Sequence, residues 1–514
     1  MKVRVQVIVE SEHGETQCVE EVAQFERGEL RPEALGLTLA EAKALLQGVQ
    51  RTMVSEQTTA YLEAHRPCPA CQVPQRCKGH HQLVYRTVFG KLTLPSPRWY
   101  TCRCQTTEQR SVSPPAELLR EHTAPELLYL EAKFAALMSY GVTVDVLGEL
   151  LPIGAQLNAT TVQRHLLRVA ERVEQELGEE QAMFIEGCPA EWEGLPAPDA
   201  PLTVGLDGGY VHARDERSRK AGWFEVIVGK SLPDEGASKC FGFVHTYDTK
   251  PKRRLFEVLK SQGMQANQQV TFLSDGGDTV RELQMYLHPE AEYVLDWFHI
   301  AMRVTVMGQI AKGIATDELD IEKPLERMKW YLWYGNVFRA LQVIDDLAMD
   351  LEDLELTTES AKKLRKAVGE FRGYIAANQP FIPNYGDRYR HGETISTAFV
   401  ESTVNQVVSR RMVKQQQMRW TQRGAHLVLQ VRTHVLNEDL REIFGRWYPG
   451  MQTGMRQQQK AAQRSPNFVM VSSPSPHTST VAFGTGACES ASKASWRWCA
   501  SPRRNGACTS TRIK

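Results

Sequence analysis

Three acidic residues stand where metal-assisted phosphodiester chemistry would want them. Val204-Gly205-Leu206-Asp207-Gly208-Gly209 and Phe272-Leu273-Ser274-Asp275-Gly276-Gly277 repeat one construction, an apolar strand that delivers an aspartate just before two glycines. Glu401 begins Glu401-Ser402-Thr403-Val404-Asn405, inside a stretch of helical periodicity. Strand-end aspartates project from a sheet edge, glycines beside them let a phosphate backbone come close, and a helix across that edge could add a third carboxylate. Two carboxylates about 4 Å apart repel by roughly 4 kcal/mol at an effective dielectric of 20. Such a cluster calls for cations, and hard oxygen donors suit Mg²⁺ or Mn²⁺. A pair of these ions can activate a water or a 3′-hydroxyl and stabilise the leaving oxygen. The plain reading of each Asp-Gly-Gly is a turn, and spacing alone does not bring the three acids together. Asp278 is an alternative to Asp275, and Glu393, beside Gly392, an alternative to Glu401.

More specific strings surround them. Tyr293-Val294-Leu295-Asp296-Trp297-Phe298-His299 follows the second aspartate, and Glu401 leads into Arg410-Arg411-Met412-Val413-Lys414 and Met418-Arg419-Trp420. In this order, from about residue 68 to 449, the strings resemble the DDE transposases of bacterial insertion sequences, nearest to the ISKra type and more distantly to Mutator-like and ISL-type enzymes. The resemblance implies an RNase H-like catalytic core, with Asp207 and Asp275 as the catalytic aspartates and Glu401 as the glutamate, together holding Mg²⁺ or Mn²⁺. It implies supporting roles for Asp296 and His299, which match an Asp-x-x-His element, and DNA at transposon ends and targets as the partner, handled by a homo-oligomer. Asn405, one turn from Glu401, would hold the glutamate, touch DNA, or simply face solvent. His299 would orient a phosphate or carboxylate, or be a buried structural histidine.

Local charge bears on DNA. Net charge is zero, with 61 basic and 61 acidic residues, yet no acid lies between Glu401 and Glu438 while Arg410, Arg411, Lys414, Arg419, Arg423 and Arg432 do. A one-sign helical face can track phosphates, although many charge runs are only solvated surface. Lys252, Arg253 and Arg254 make a second basic patch. Trp330, Trp333 and Tyr334 could stack on unpaired bases, but helical aromatics at this spacing read first as core.

Of eleven cysteines, five fall between 68 and 104. Cys68-x-x-Cys71 and Cys102-x-Cys104 read as a zinc-ribbon-like knuckle for structural Zn²⁺, with Cys77, His80 and His81 as alternative ligands. Downstream, helices over Val142–Leu151 and 158–177, joined at Pro152-Ile153-Gly154, read as a helix-turn-helix or an ordinary helical hairpin. Asn158 or Thr160 would cap the second helix, and Gln163, Arg164 and Arg168 would face a groove.

These sites must be carried by a multidomain α/β chain, since 514 residues exceed one ordinary core. Lys2–Val9 alternates as a strand, and a helix over Leu37–Ala64 opens on Thr38 with Glu41 three residues on, a capping box. The expected order is an N-terminal strand and helix region (1–65), a zinc-ribbon-like module (66–112), a helical domain (113–187) and a Pro-rich linker (188–201). There follow the first part of the core (202–300), a helical insertion (301–392), the last part of the core (393–450) and a disordered tail (451–514). Neither a signal peptide nor an apolar run of about 20 residues is present, which points to a bacterial cytoplasmic, nucleoid-associated protein without a membrane partner. Two other functions fit parts of this pattern: an RNase H-like nuclease without strand transfer, and a non-catalytic zinc-containing DNA-binding protein descended from a transposase.

Overall fold

The alternating valines form β1 (Lys2–Glu10), antiparallel to β2 (Thr16–Glu26). The first helix, α1 (Leu39–His65), begins where expected. Thr38 Oγ1 accepts from the Glu41 amide and the Glu41 carboxylate accepts from the Thr38 amide, so both halves of the capping box are made. The computed structural model describes residues 1–451 except 12, 106–109, 154–156, 181–193, 195, 197–200, 215–221, 234–235, 266, 278–282, 284–290, 315–319, 354–358 and 415–418. Asp278, Gly154, most of the Pro-rich linker and the expected tail beyond Met451 therefore lie outside the described residues.

The cysteine-bearing stretch folds as short strands: β3 (Cys77–Gly79), β4 (Gln82–Thr87), β5 (Gly90–Pro95), β6 (Arg98–Tyr100) and β7 (Ser111–Val112). Its own apolar cluster is small, with Leu83, Leu92 and Leu94 buried. Helices α2 (Pro114–Leu118), α3 (Pro125–Leu137), α4 (Tyr140–Leu150) and α5 (Ala159–Glu176) follow, and Asn158 caps α5 by accepting from the Thr161 amide at 2.9 Å.

A five-stranded mixed sheet is the centre of the fold. It comprises β8 (Leu202–His212), β9 (Trp223–Leu232), β10 (Lys239–Val244), β11 (Val270–Ser274) and β12 (Glu292–Leu295), in the spatial order β10-β9-β8-β11-β12. The first three form an antiparallel meander, β11 runs parallel to β8, and β12 parallel to β11. This is an α/β fold with RNase H-like strand order. One face, carrying Leu202, Val204, Leu206, Ile227 and Phe241, packs on Leu255 and Leu259 of α6 (Pro251–Ser261). The opposite face, with Val211, Val226 and Val228, packs on α3, α5 and the C-terminal helices. β8 is longer than the sequence suggested. Instead of turning at Gly208-Gly209 it continues to His212, because β9 pairs with it along its whole length, Asp207 opposite Val228 and Gly209 opposite Val226.

Five helices come next: α7 (Trp297–Ala311), α8 (Glu322–Trp333), α9 (Val337–Asp353), α10 (Glu359–Ala377) and α11 (Tyr385–Arg390). They share a core of Leu325, Met328, Leu332, Ile344 and Phe371, joined to the sheet through Leu273 and Val294. The aromatic string divides here. Trp333 packs against Trp297 and Tyr385, but Trp330 and Tyr334, expected in the core, are 52% and 53% exposed and stack on each other. They fall on the α8 face opposite Leu325, Met328 and Leu332.

The last helical region is broken in three. α12 (Ala398–Val404) continues as a π-helix, Asn405–Val413, and after a break come α13 (Gln422–Leu436) and α14 (Leu440–Trp447). In the break the Trp420 amide donates to the His212 carbonyl at 2.8 Å, tying the chain to the end of β8. Among the described residues no helix is long and apolar enough to cross a membrane.

Candidate functional site

Strand register aligns the acids. Gly205 of β8 pairs with Leu273 of β11, and Ser274 of β11 pairs with Leu295 of β12. Two residues past the first pair and one past the second, Asp207, Asp275 and Asp296 stand level across three parallel strands. β8 alone continues past this row; β11 has ended, and Asp275 enters a turn in which the Gly277 amide donates to its Oδ1 at 3.2 Å. Gly276 sits there at φ +92, with a Cβ position only 2.8 Å from Asn378 Oδ1, so both conformation and space require glycine.

The helix carrying Glu401 lies on β8 because that strand lacks side chains where they meet. A Cβ on Gly205 would come 2.2 Å from Val400 Cγ2, and one on Gly209 would come 3.1 Å from Val404 Cγ1. Alternation along β8 puts Asp207 between these glycines on the same face. These glycines thus make room for a helix rather than for a phosphate backbone. Asp207 is half-buried, while Asp275 and Glu401 are exposed. Burial raises the Asp207 carboxyl above its ordinary value; the Gly208 amide and His299 pull it down, and the charges of Asp275 and Glu401 push it up. The three carboxylates thus share an electrostatic neighbourhood. They do not form a tight knot: the described groups whose donor atoms all lie within 4.8 Å of one another are Cys68, Cys71, Cys102 and Cys104, and Glu174, Asp248 and His426.

Asp296 is fully buried and its oxygens are occupied by protein. It caps α7 by accepting from the Phe298 amide at 2.8 Å, accepts from the amide of Thr397 at 3.1 Å and from the Thr397 hydroxyl, and holds His299 Nδ1 at 2.7 Å. The bond to Asp296 raises His299 above its ordinary value, burial opposes this, and Asp275 and Asp207 reinforce it. Asp296 is therefore a positioning residue, and Nε2 of the His299 ring has no hydrogen-bond partner among the described residues. Sequence reading missed Thr397, which links Asp296 to the loop before α12, and Tyr385, whose hydroxyl donates to the Leu295 carbonyl at 2.6 Å. It also missed the exposed Arg303, one turn beyond His299 and 4.3 Å over the Tyr374 ring; the helical spacing of 299 and 303 was the available signal. Asn405 is bound by Lys414, whose Nζ donates to its Oδ1 at 2.8 Å. Glu393 pairs with Arg388 at 2.8 Å, in a network with Glu292.

The basic residues separate into two classes. Arg410, Lys414 and Arg419 are exposed. Arg411 and Arg432 are interior, contrary to the expected phosphate-facing stripe. Arg411 Nε donates to the Ala135 carbonyl at 3.1 Å and its guanidinium lies 5.1 Å over both Tyr140 and Trp420. Arg432 donates to the carbonyls of Ala136 and, at 2.7 Å, Val407, and burial holds it down to about 10. Both satisfy carbonyls at the C-terminus of α3, where a helix presents unpaired acceptors and negative potential. Arg423 pairs with Glu171. The second basic patch is likewise neutralised within the protein. Arg254, 6% exposed, bonds Glu174 at 2.9 Å, Asp248 at 3.0 Å and Gln430 at 2.6 Å; Arg253 pairs with Glu257 at 2.6 Å, and Lys252 is half-buried. Arg254 and Arg411 thus have no surface to offer DNA. The guanidinium of Arg254 also supplies positive charge within the Glu174, Asp248 and His426 group.

The four cysteines do converge. Cys68 Sγ lies 3.5 Å from Cys104 Sγ, and Cys71 Sγ 3.4 Å from Cys102 Sγ. A sulfur tetrahedron around an ion at about 2.3 Å has edges near 3.8 Å, so this set can hold a metal ion. The amides of Cys71 and Ala70 bring the Cys68 thiol down to about 7, and Cys102 is lowered too, whereas Cys104 is pushed up by its three neighbours. Full deprotonation of the set needs a cation. Cys77 sits instead against His80, at 3.6 Å, outside the four.

No family model and no curated protein matches the sequence. Among solved structures, the Drosophila P element transposase strand transfer complex is similar with a TM-score of 0.27 and 9% identity, over 62% of this chain and 93% of that one.

Proposed function

We propose that this chain is a DDE transposase of the bacterial insertion-sequence type, nearest the ISKra enzymes, which cuts DNA at element ends and transfers the 3′-hydroxyl to a target. The observation that carries this reading is the level row of Asp207 and Asp275, with the Glu401 helix seated on β8 through Gly205 and Gly209. Three carboxylates, of which Asp275 and Glu401 raise the proton affinity of Asp207, form a donor set suited to hard divalent ions. Mg²⁺ or Mn²⁺ held by Asp207, Asp275 and Glu401 would activate the attacking oxygen and stabilise the leaving one. Asp296 fixes His299 so that Nε2 can donate to a phosphate oxygen beside that pair, and Arg303 and Arg410, Lys414 and Arg419 would hold flanking phosphates. Gln163, Arg164 and Arg168, exposed on α5, are the side chains we assign to reading the end sequence. The four cysteines would hold structural Zn²⁺.

The test is a cleavage and joining assay on DNA bearing the element's own ends, with Mg²⁺ or Mn²⁺. Asp207→Asn, Asp275→Asn and Glu401→Gln should each lose roughly 10⁴-fold or more in cleavage while retaining end binding. Cleavage without joining by the unmodified protein would instead establish a nuclease, and undiminished activity in all three variants would remove the triad.

A further inference from the structure

β1 has an outer edge with no neighbour among the described residues. On its inner side the Arg27 amide donates to the Met1 carbonyl at 2.8 Å and the Met1 amine to the Arg27 carbonyl at 2.7 Å, which makes Met1 and Arg27 a hydrogen-bonded pair of the ladder. Alternation then turns the N–H and C=O groups of Lys2, Arg4, Gln6, Ile8 and Glu10 outward. None of the nine residues of β1 is buried, although five are Val or Ile. The two register shifts of this hairpin, beside Gln6 and Glu10, put the extra residues Val22 and Gln17 on β2, so β1 itself runs unbroken. A long edge of this kind is a template for another strand, and a two-stranded sheet is marginal by itself.

The sequence of β1 is complementary to itself. We infer that β1 pairs antiparallel with β1 of a second copy of this chain, with the two-fold axis at Gln6, to make a four-stranded sheet. In that register Lys2 faces Glu10 of the partner subunit at both ends of the ladder, Arg4 faces the partner's Ile8, and the two Gln6 residues face each other. These are the outward-directed residues, so every free N–H and C=O of the edge is used. On the other face Val3 lies beside the partner's Val9, and Val5 beside the partner's Val7. Val3 and Val5 already form part of an open apolar groove of about 520 Å³ with Phe25, Leu30, Leu35 and Leu37, and the second copy extends its floor. Centring the register on Arg4 would oppose two arginines, and centring it on Val5 or Val7 would leave two residues of each strand unpaired. Lys2 and Arg4 now reach only exposed partners, Glu26 at 3.5 Å and Glu21 at 3.9 Å, and such surface pairs hold weakly.

The test uses the full chain in sedimentation velocity over a concentration series. Ile8→Pro removes one outward N–H per subunit and none directed at β2, and should weaken the dimer by roughly tenfold. Glu10→Lys should weaken it several-fold, and adding Lys2→Glu should restore it. The register has its own readout: Gln6→Cys should cross-link between subunits under mild copper–phenanthroline oxidation, because a hydrogen-bonded antiparallel pair has Cα atoms about 5.5 Å apart. Arg4→Cys should give no more than the background of the native cysteines. A chain that stays monomeric at tens of micromolar overturns the inference. So does a dimer indifferent to Ile8→Pro that cross-links no better through position 6 than through position 4.

Discussion

Asp207 carries its charge where the protein disfavours it. Burial lifts its proton affinity above the ordinary value of 3.8, Asp275 and Glu401 add repulsion, and the Gly208 amide and His299 offset this only in part. A carboxyl with a raised folded-state value destabilises the fold as pH rises from 3.8 through that raised value, and has no such effect at lower pH, where it is protonated folded and unfolded alike. Asp207→Asn mimics the protonated form. It should therefore stabilise the metal-free protein at pH 7, by on the order of 1 kcal/mol, and the gain should vanish below about pH 3.8 in denaturant titrations at several pH values. A loss of stability at pH 7 would mean that the charge is used structurally. Sequence reading singled out Asp207 and Asp275 from residue type and neighbouring glycines, and Glu401 from its helical stretch and the family resemblance. It could not sort the arginines: Arg410 and Arg411 are adjacent, yet one is exposed and the other caps the carbonyls of a helix some 275 residues earlier, a relation that no local pattern encodes.

At the scale of elements, the helix bearing Glu401 is placed by the absence of side chains beneath it. Gly205→Ala would set a Cβ 2.2 Å from Val400 Cγ2 and 2.6 Å from Phe399 Cζ, and the helix must lift. We expect a stability loss of about 1–3 kcal/mol, measured by chemical denaturation, with DNA cleavage reduced by more than that loss explains. Gly148→Ala, with nothing within 4 Å of its Cβ position, should leave both unchanged or slightly improved. If the two substitutions behave alike, the close seating of this helix on β8 is not what positions Glu401. The glycines were conspicuous in the sequence, but their use was not. Gly208-Gly209 reads locally as a turn, and only pairing with β9 keeps it extended. Local rules sufficed elsewhere: the Thr38 capping box and the Asn158 cap are made as their spacing predicts.

For the whole molecule, the small β module with the cysteines has little apolar core of its own, and on the proposed reading a metal held by the four sulfurs supports its fold. Chelation with a strong zinc ligand, or Cys71→Ser, should melt residues 66–112 while leaving the central sheet folded, visible as loss of amide exchange protection in that stretch alone. Unchanged protection after complete metal removal would reduce the cysteines to a coincidence of packing. The parallel pairing of β8 with β11 was beyond sequence reading for a related reason, since it joins segments about 70 residues apart and follows from the assembled core. The level row of Asp207, Asp275 and Asp296 exists only in that assembly. On the proposed reading, Asp207 and Asp275 of that row join Glu401 in holding divalent ions, and anomalous diffraction from crystals soaked in MnCl₂ tests this directly. The account predicts manganese bound by Asp207, Asp275 and Glu401, and none in the Glu174, Asp248 and His426 group where Arg254 already supplies the cation. Manganese in the second group with none at the first would contradict it.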